Sequence, residues 1–442
     1  MGDLNHFCRQ NFALLGDYLQ RSRFGKNVAT LLVGNSIAYA IALVSIPLIT
    51  RLYTPSSYAV LSVFIGLVTL LQSFASLRFE WCIPNASTHA EAKQITRLAF
   101  IILSIFTVCS MPAFLFVGQN FQGNYWINQL NGYLWLAPIG ILLAATLEVM
   151  NAWPVRLRDM RPQARAMVYQ NASGSTVQIF GGIIGSNPLF LIAGFFTNKA
   201  LGSLVLAKNL STHWHGEQQS RPESLRSVFK RHAQTGITSS LVSAVNGFSL
   251  NLPVFLFAIY YGATQTGIMA MALRLASIAP LLFGRAVSQS FWAEAAILVK
   301  ENPKALFSLY MKTTLRLCII AIPICIGCLI APKFIHIILG GKLWASVGNI
   351  LLALTPLILG RIIVSSLSHL IVHEKQHWQL CWDISRATLT AVALILAGTM
   401  GFDPTVAAFS FAIIAAFMYV VLFLLNRAAI KQLIVSMKPH EC

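Results

Sequence analysis

The chain has 442 residues, of which 56% are hydrophobic and only 10% charged, and it carries a formal net charge of +18. A soluble domain averages about 25% charged residues, so this composition excludes a soluble enzyme and defines a membrane protein.

Residues 1–26 place Leu4, Phe7, Phe12, Leu15 and Leu19 at helical spacing, which predicts an amphipathic segment on the membrane surface. Arg9, Asn11 and Asp17 interrupt its apolar face, so it does not read as a cleavable signal. About twelve apolar runs follow, most of them long enough to cross about 30 Å of hydrocarbon as helices. The first six are predicted over 28–50, 57–78, 97–118, 132–152, 167–186 and 189–208. The second carries Thr69, Gln72, Ser73 and Ser76 and leads to Arg78 and Glu80. The fourth holds Glu148 and the sixth holds Lys199. A polar interruption at 209–233 contains His213 and His215, which read as surface residues rather than a metal site.

The second six runs are predicted over 235–260, 265–289, 313–332, 346–371, 378–400 and 405–426. The seventh is unusually polar, with Ser239, Ser243, Asn246 and Ser249. The eighth places Arg274 and Arg285 11 residues apart. That spacing is three helical turns, so both share one face about 16 Å apart, joined there by Ser277, Ser288 and Gln289. The tenth repeats the pattern with Arg361, Ser365, Ser368, His369 and His373. Cys325-x-x-Cys328 in the ninth lacks His or acidic neighbours and reads as small-residue packing.

Pro47 and Pro253 both sit late in the first helix of a half, and Arg78 and Arg285 follow them at nearly equal distances. Six spans return the chain to the same side, so the repeat is parallel. The expected fold is an all-α polytopic membrane protein: about twelve transmembrane helices in two six-helix lobes around a central cavity. Its parts are a surface segment (1–26), an N-lobe (27–208), a loop (209–233), a C-lobe (234–426) and a tail (427–442).

With the N-terminus inside, the inner segments hold 25 of the 32 Lys and Arg, while the outer loops hold only Arg51, Lys333 and Lys342. This asymmetry predicts cytoplasmic termini and contact with anionic membrane lipids, and it argues against nucleic acid as the partner of the net charge.

Four cations remain inside the spans: Lys199, Arg274, Arg285 and Arg361. Each costs about 2.5–3.5 kcal/mol at a span centre unless it faces water, a partner or a ligand. The acids within or near spans are Glu80, Glu148, Glu294, Asp383 and Asp403, and Asp383 is placed to pair with Arg386 at i+3. Cations thus outnumber acids, and an anionic ligand, phosphate above all, is their natural complement. Lys199, Arg274, Arg285 and Arg361 are therefore the expected substrate-binding residues, with Gln72, Ser76, Asn246 and Gln289 as polar lining. Glu80, Glu148, His369 and Arg78 are candidates for proton or cation coupling or for gating. No organic cofactor or metal is expected beyond a coupled H+ or Na+.

The first hairpin, Pro47-Leu-Ile-Thr-Arg-Leu-Tyr-Thr-Pro55 with Tyr58 and then Leu77-Arg-Phe-Glu80, resembles the bacterial polysaccharide flippases of the Wzx type. These belong to the multidrug/oligosaccharidyl-lipid/polysaccharide (MOP) exporter superfamily. Gly267, Arg274-Leu275 and Glu294-Ala-Ala296 extend the likeness into the second half. Ser57, Ala59 and Phe79 depart from the acidic residue, Gly and Tyr usual at those places. The resemblance implies two six-helix lobes facing a central cationic cavity. It also implies transfer of an undecaprenyl-pyrophosphate-linked oligosaccharide (an O-antigen, capsule or exopolysaccharide unit) from the inner to the outer leaflet of the bacterial cytoplasmic membrane. An ion gradient would drive alternating access, without enzymatic chemistry, alongside polysaccharide polymerase and chain-length proteins. A drug/cation antiporter of the same superfamily would call for more acidic spans. A membrane polymerase or glycosyltransferase would call for a large outer loop or an Asp-x-Asp site, and the chain has neither.

Overall fold

The computed structural model describes residues 23–120, 130, 132–214, 224–280, 287, 288, 291, 294, 295, 298, 303–367 and 376–436. Among them no strand occurs, and the helices follow one another as α1 (Arg23–Leu52), α2 (Pro55–Ala75), α3 (His89–Asn120), α4 (Ala137–Leu157), α5 (Arg161–Ile184), α6 (Pro188–Trp214) and α7 (Leu225–Ala279). Then come α8 (Pro303–Ile338), α9 (Ser346–Ala353), α10 (Thr355–Ile363), α11 (Gln376–Thr399) and α12 (Pro404–Ser436).

Nine described stretches are long and apolar enough to cross a membrane, or ten when α9 and α10, bent by 53°, count as one broken span. The stretch Leu225–Ile278 has 54 residues. At about 1.5 Å per residue it is roughly 80 Å long, more than twice the hydrocarbon thickness. Gly262, with φ 84° and ψ 165°, breaks its helical geometry and divides it into the predicted seventh and eighth spans. The remaining helix, α5, is long enough at 24 residues but carries Gln170, Asn171, Ser173, Ser175 and Gln178. Among the described residues, each of the twelve predicted runs therefore coincides with helix over most of its described length.

Several helix ends lie outside the predicted apolar runs: α7 begins at Leu225, α8 at Pro303 and α12 ends at Ser436, against the predicted 235, 313 and 426. Helix α3 begins at His89, eight residues ahead of the predicted 97. Thr88 Oγ1 accepts the Glu91 N–H at 3.1 Å, and the Glu91 carboxylate accepts the Ser87 N–H at 2.8 Å. This capping box satisfies helix-start donors outside the apolar run, which hydropathy alone does not register.

The chain divides into two compact units, Met1–Ile49 with Leu67–Gly247 and Thr50–Gly66 with Phe248–Cys442. In the first, a core forms around Trp153, Phe79, Ile83, Ile95 and Val149, and Trp153 donates its indole N–H to Thr96 Oγ1 at 3.2 Å. Helices α5 and α6 pack along much of their length through amides: Asn198 donates to the Gln170 carbonyl at 2.9 Å and Gln178 to the Leu191 carbonyl at 3.1 Å. Between helices in lipid there is little hydrophobic drive, so such bonds and small residues hold the pair. They also account for the polarity of α5.

In the second unit Trp344 donates its indole N–H to the Thr50 carbonyl at 2.8 Å and meets the Tyr58 ring edge-on at 6.0 Å. Gly267 lies so close to Pro55 that a side-chain carbon would occupy the space of the Pro55 carbonyl. Gly267→Ala is accordingly expected to destabilise the protein by about 1–3 kcal/mol, the usual range for overpacking. Thermal unfolding in detergent checks this, and an unchanged midpoint would show that the helix can shift freely.

Candidate functional site

Two consecutive non-glycine residues after α2, Leu77 and Arg78, adopt left-handed backbone geometry with φ 48° and 51°. Such residues cost on the order of 1–3 kcal/mol each and persist where surrounding contacts over-determine them. Here the reversal turns Glu80 into the interior, where it is only 3% exposed. Glu80 Oε2 accepts the Ser76 hydroxyl at 2.7 Å and Oε1 accepts Arg78 Nη1 at 3.2 Å; Arg78 Nη2 donates to Ser73 Oγ at 3.4 Å. The turn lies between the spans Pro55–Ala75 and His89–Phe116. Burial pushes the Glu80 carboxyl above its ordinary range, opposed by the Ser76 hydroxyl and the Arg78 charge.

Glu148 on α4 stands within electrostatic reach of both Glu80 and Lys199. The Lys199 ammonium lies 5.5 Å from the centre of the Phe195 ring, a cation–π contact. Lys199 forms no ion pair among the described residues. Three candidate coupling residues and one candidate binding residue thus share the first unit. Of the expected polar lining there, Ser76 is fully buried beneath Glu80, Gln72 is half-buried and Asn246 is exposed.

The second unit holds the other described cations. Arg274, on α7 beyond the Gly262 break, donates from Nη1 to the Tyr58 hydroxyl at 3.0 Å. Arg361 is half-buried on α10 and makes no hydrogen bond or ion pair through its side chain among the described residues. Among the described residues, the acids that could neutralise them are engaged elsewhere or exposed. Asp383 accepts Arg386 at 3.4 Å, as its spacing predicted; Asp403 accepts the Thr405 N–H at 2.8 Å at the start of α12; Glu294 is exposed. Two guanidinium groups therefore sit inside spans without a carboxylate among the described residues, poised to take an anion. Arg285, Gln289 and His369 lie outside the described residues, as do His215 and the predicted surface segment through residue 22.

Two features escaped the sequence reading. Tyr58 was visible as part of the hairpin motif, but its partner is 216 residues away. Glu91, which the sequence reading did not count among the span acids, is buried and accepts Arg231 at 2.8 Å and His232 at 3.1 Å. The Thr88-x-x-Glu91 spacing was the available signal for it.

The number of long apolar stretches defines a polytopic membrane protein. Solved structures share this fold. An inward-facing multidrug resistance MATE family transporter of the MOP superfamily aligns over 90% of this chain and 96% of its own, with TM-score 0.66 and 14% identity. The lipid II flippase MurJ, in an inward closed conformation, aligns over 92% of this chain and 90% of its own, with TM-score 0.68 and 12% identity. A MOP superfamily transporter from Pyrococcus furiosus, described with a binding pocket of reversed polarity, aligns over 94% and 97%, with TM-score 0.55 and 14% identity. No curated protein matches the chain significantly in sequence. The profile of the polysaccharide biosynthesis protein family matches residues 48–348, more than half of the chain, and the chain belongs to that family. The resemblance of its first hairpin to Wzx-type flippases is borne out in family and fold.

Proposed function

We propose that this protein flips an undecaprenyl-pyrophosphate-linked oligosaccharide across the bacterial cytoplasmic membrane by alternating access, with both termini in the cytoplasm. The observation that carries the reading is the pair Arg274 and Arg361, charged, inside spans and without carboxylate partners among the described residues. A pyrophosphate accepts several charge-assisted hydrogen bonds at once, which makes it a better complement to guanidinium groups than a neutral sugar. Arg285, on the same predicted face as Arg274, would add a further contact, and Lys199 would bind substrate from the first unit. Membership of a polysaccharide biosynthesis family and the likeness to a lipid II flippase support a lipid-linked substrate. Glu80, buried beside Arg78 and within reach of Glu148, is the best-placed group to couple a proton gradient. The protein performs transport and no bond chemistry in this reading.

Deleting the gene tests it. Lipid-linked oligosaccharide is expected to accumulate on the inner leaflet while surface polysaccharide falls, and the wild-type gene should relieve both. Intact surface polymer without precursor build-up would overturn the proposal.

A further inference from the structure

Within the first unit, α3, α4 and the facing ends of α6 and α7 border an open, largely apolar cavity of about 460 Å³. Phe100, Ile101, Met150 and Trp214 make its wall apolar, while Gln94 and Arg97 also line it. Gln94 is only 6% exposed, yet its amide has no hydrogen-bond partner among the described residues. Its amide atoms are not among the fully buried polar atoms that lack a partner, so the amide stays within reach of a ligand group in the groove. Arg97 is exposed and makes no ion pair or hydrogen bond among the described residues through its side chain. Lys93 adds a second positive charge nearby, its ammonium 5.7 Å from the Trp214 ring centre.

Arg97 stands where the predicted third apolar run begins, so it lies at headgroup depth. From Ile101 an apolar face continues along α3 through Ile105 and Val108, which are 45%, 59% and 71% exposed. Polarity along this path runs cation, amide, then hydrocarbon. A phospholipid has the matching order of phosphate, glycerol ester and acyl chain. A free phosphate would leave the apolar wall wet, and a bare hydrocarbon tail would leave Gln94 and Arg97 unsatisfied. A zwitterionic headgroup would bring another cation beside Arg97 and Lys93. We propose that this cavity is a binding site for an anionic glycerophospholipid, with its phosphate at Arg97, an ester oxygen at the Gln94 amide and an acyl chain along Ile101, Ile105 and Val108. Basic pockets between transmembrane helices bind anionic lipid heads elsewhere by the same physics.

Thermal unfolding and native mass spectrometry of the delipidated full chain, with added phosphatidylglycerol, phosphatidylcholine of the same chains, or inorganic phosphate, test the site. Phosphatidylglycerol is expected to raise the unfolding midpoint and be retained in the gas phase, with little effect from the other two. Arg97→Gln should weaken phosphatidylglycerol binding by about tenfold or more, as loss of a charge-assisted contact does. Equal binding by wild type and Arg97→Gln, or equal stabilisation by phosphatidylcholine, would overturn the site. Stabilisation by inorganic phosphate as large as by phosphatidylglycerol would reduce it to a plain anion site and also overturn it. Gln94→Met, nearly equal in volume, keeps the test decisive should Arg97→Gln fail to fold. Its binding should also weaken, and unchanged affinity there would count against the lipid.

Discussion

Changing Arg274 and Arg361 together to alanine is expected to stop surface polysaccharide export while leaving a folded protein in the membrane. Neither guanidinium has a carboxylate that the change would orphan, since Arg274 bonds only the neutral Tyr58 hydroxyl and Arg361 has no partner among the described residues. Orphaning a buried counter-charge is what makes most such changes destructive, at about 3–5 kcal/mol. Removing two span cations instead relieves roughly 5–7 kcal/mol on the insertion scale, against one lost hydrogen bond of about 1.5–3 kcal/mol at Tyr58. Membrane protein level and unfolding midpoint should therefore hold or rise. Function should move the other way. Each charge-assisted contact to a phosphate contributes about 1.5–3 kcal/mol, so the pair should weaken substrate binding on the order of 10²- to 10⁴-fold. The assay is lipid-linked precursor against surface polymer in a deletion strain carrying the variant. Normal export by the double variant would remove these residues from the substrate path. Loss of the protein itself would show that they act in folding.

The second large effect belongs to Glu80. Its folded-state carboxyl sits above the ordinary value of 4.5, chiefly because burial disfavours the anion more than Ser76 and Arg78 favour it. From about pH 4.5 up to that raised value the native protein holds more protons than the unfolded chain, so this group makes stability fall as pH rises. Glutamine has the shape of the protonated form and does not titrate. Arg78 is not stranded by the change, because Ser73 still accepts from it and the Trp81 ring lies 5.8 Å away. The difference in unfolding midpoint between Glu80→Gln and wild type should therefore be near zero below pH 4.5 and grow in favour of the variant at higher pH. A difference that stays constant from pH 4 to 8 would mean the carboxyl is not perturbed by folding. The same variant should lose gradient-driven export, since it can no longer load and release a proton. Export that still follows an imposed proton gradient in Glu80→Gln would exclude Glu80 as the coupling group.

Much of the fold was legible before any coordinates. Apolar runs with period 3.6 and about twenty residues long mark spans, because in lipid every backbone polar group must be satisfied within the helix. The same rule made Lys199, Arg274 and Arg361 conspicuous, since a charge is expensive in hydrocarbon whatever surrounds it. The local pair Asp383 and Arg386 was legible because i+3 spacing brings side chains together by helix geometry alone. The early start of α3 was not, because Thr88 and Glu91 are polar and hydropathy places the helix where the apolar residues begin. Nor was the 53° bend between α9 and α10, which lies inside one uninterrupted apolar run.

Class, span count, charge asymmetry and the surplus of interior cations were determined by the sequence by itself, since each depends on composition or on neighbours within a few residues. Partner choice was decided only by tertiary structure. Arg274 meets Tyr58 across 216 residues, Glu91 meets Arg231 across 140, and Arg97 and Gln94 line a cavity without a partner among the described residues. Side-chain periodicity says which face of a helix a residue occupies. Which other helix that face meets depends on packing over the whole chain, and that alone settles whether a buried charge is neutralised, shared or left for a ligand.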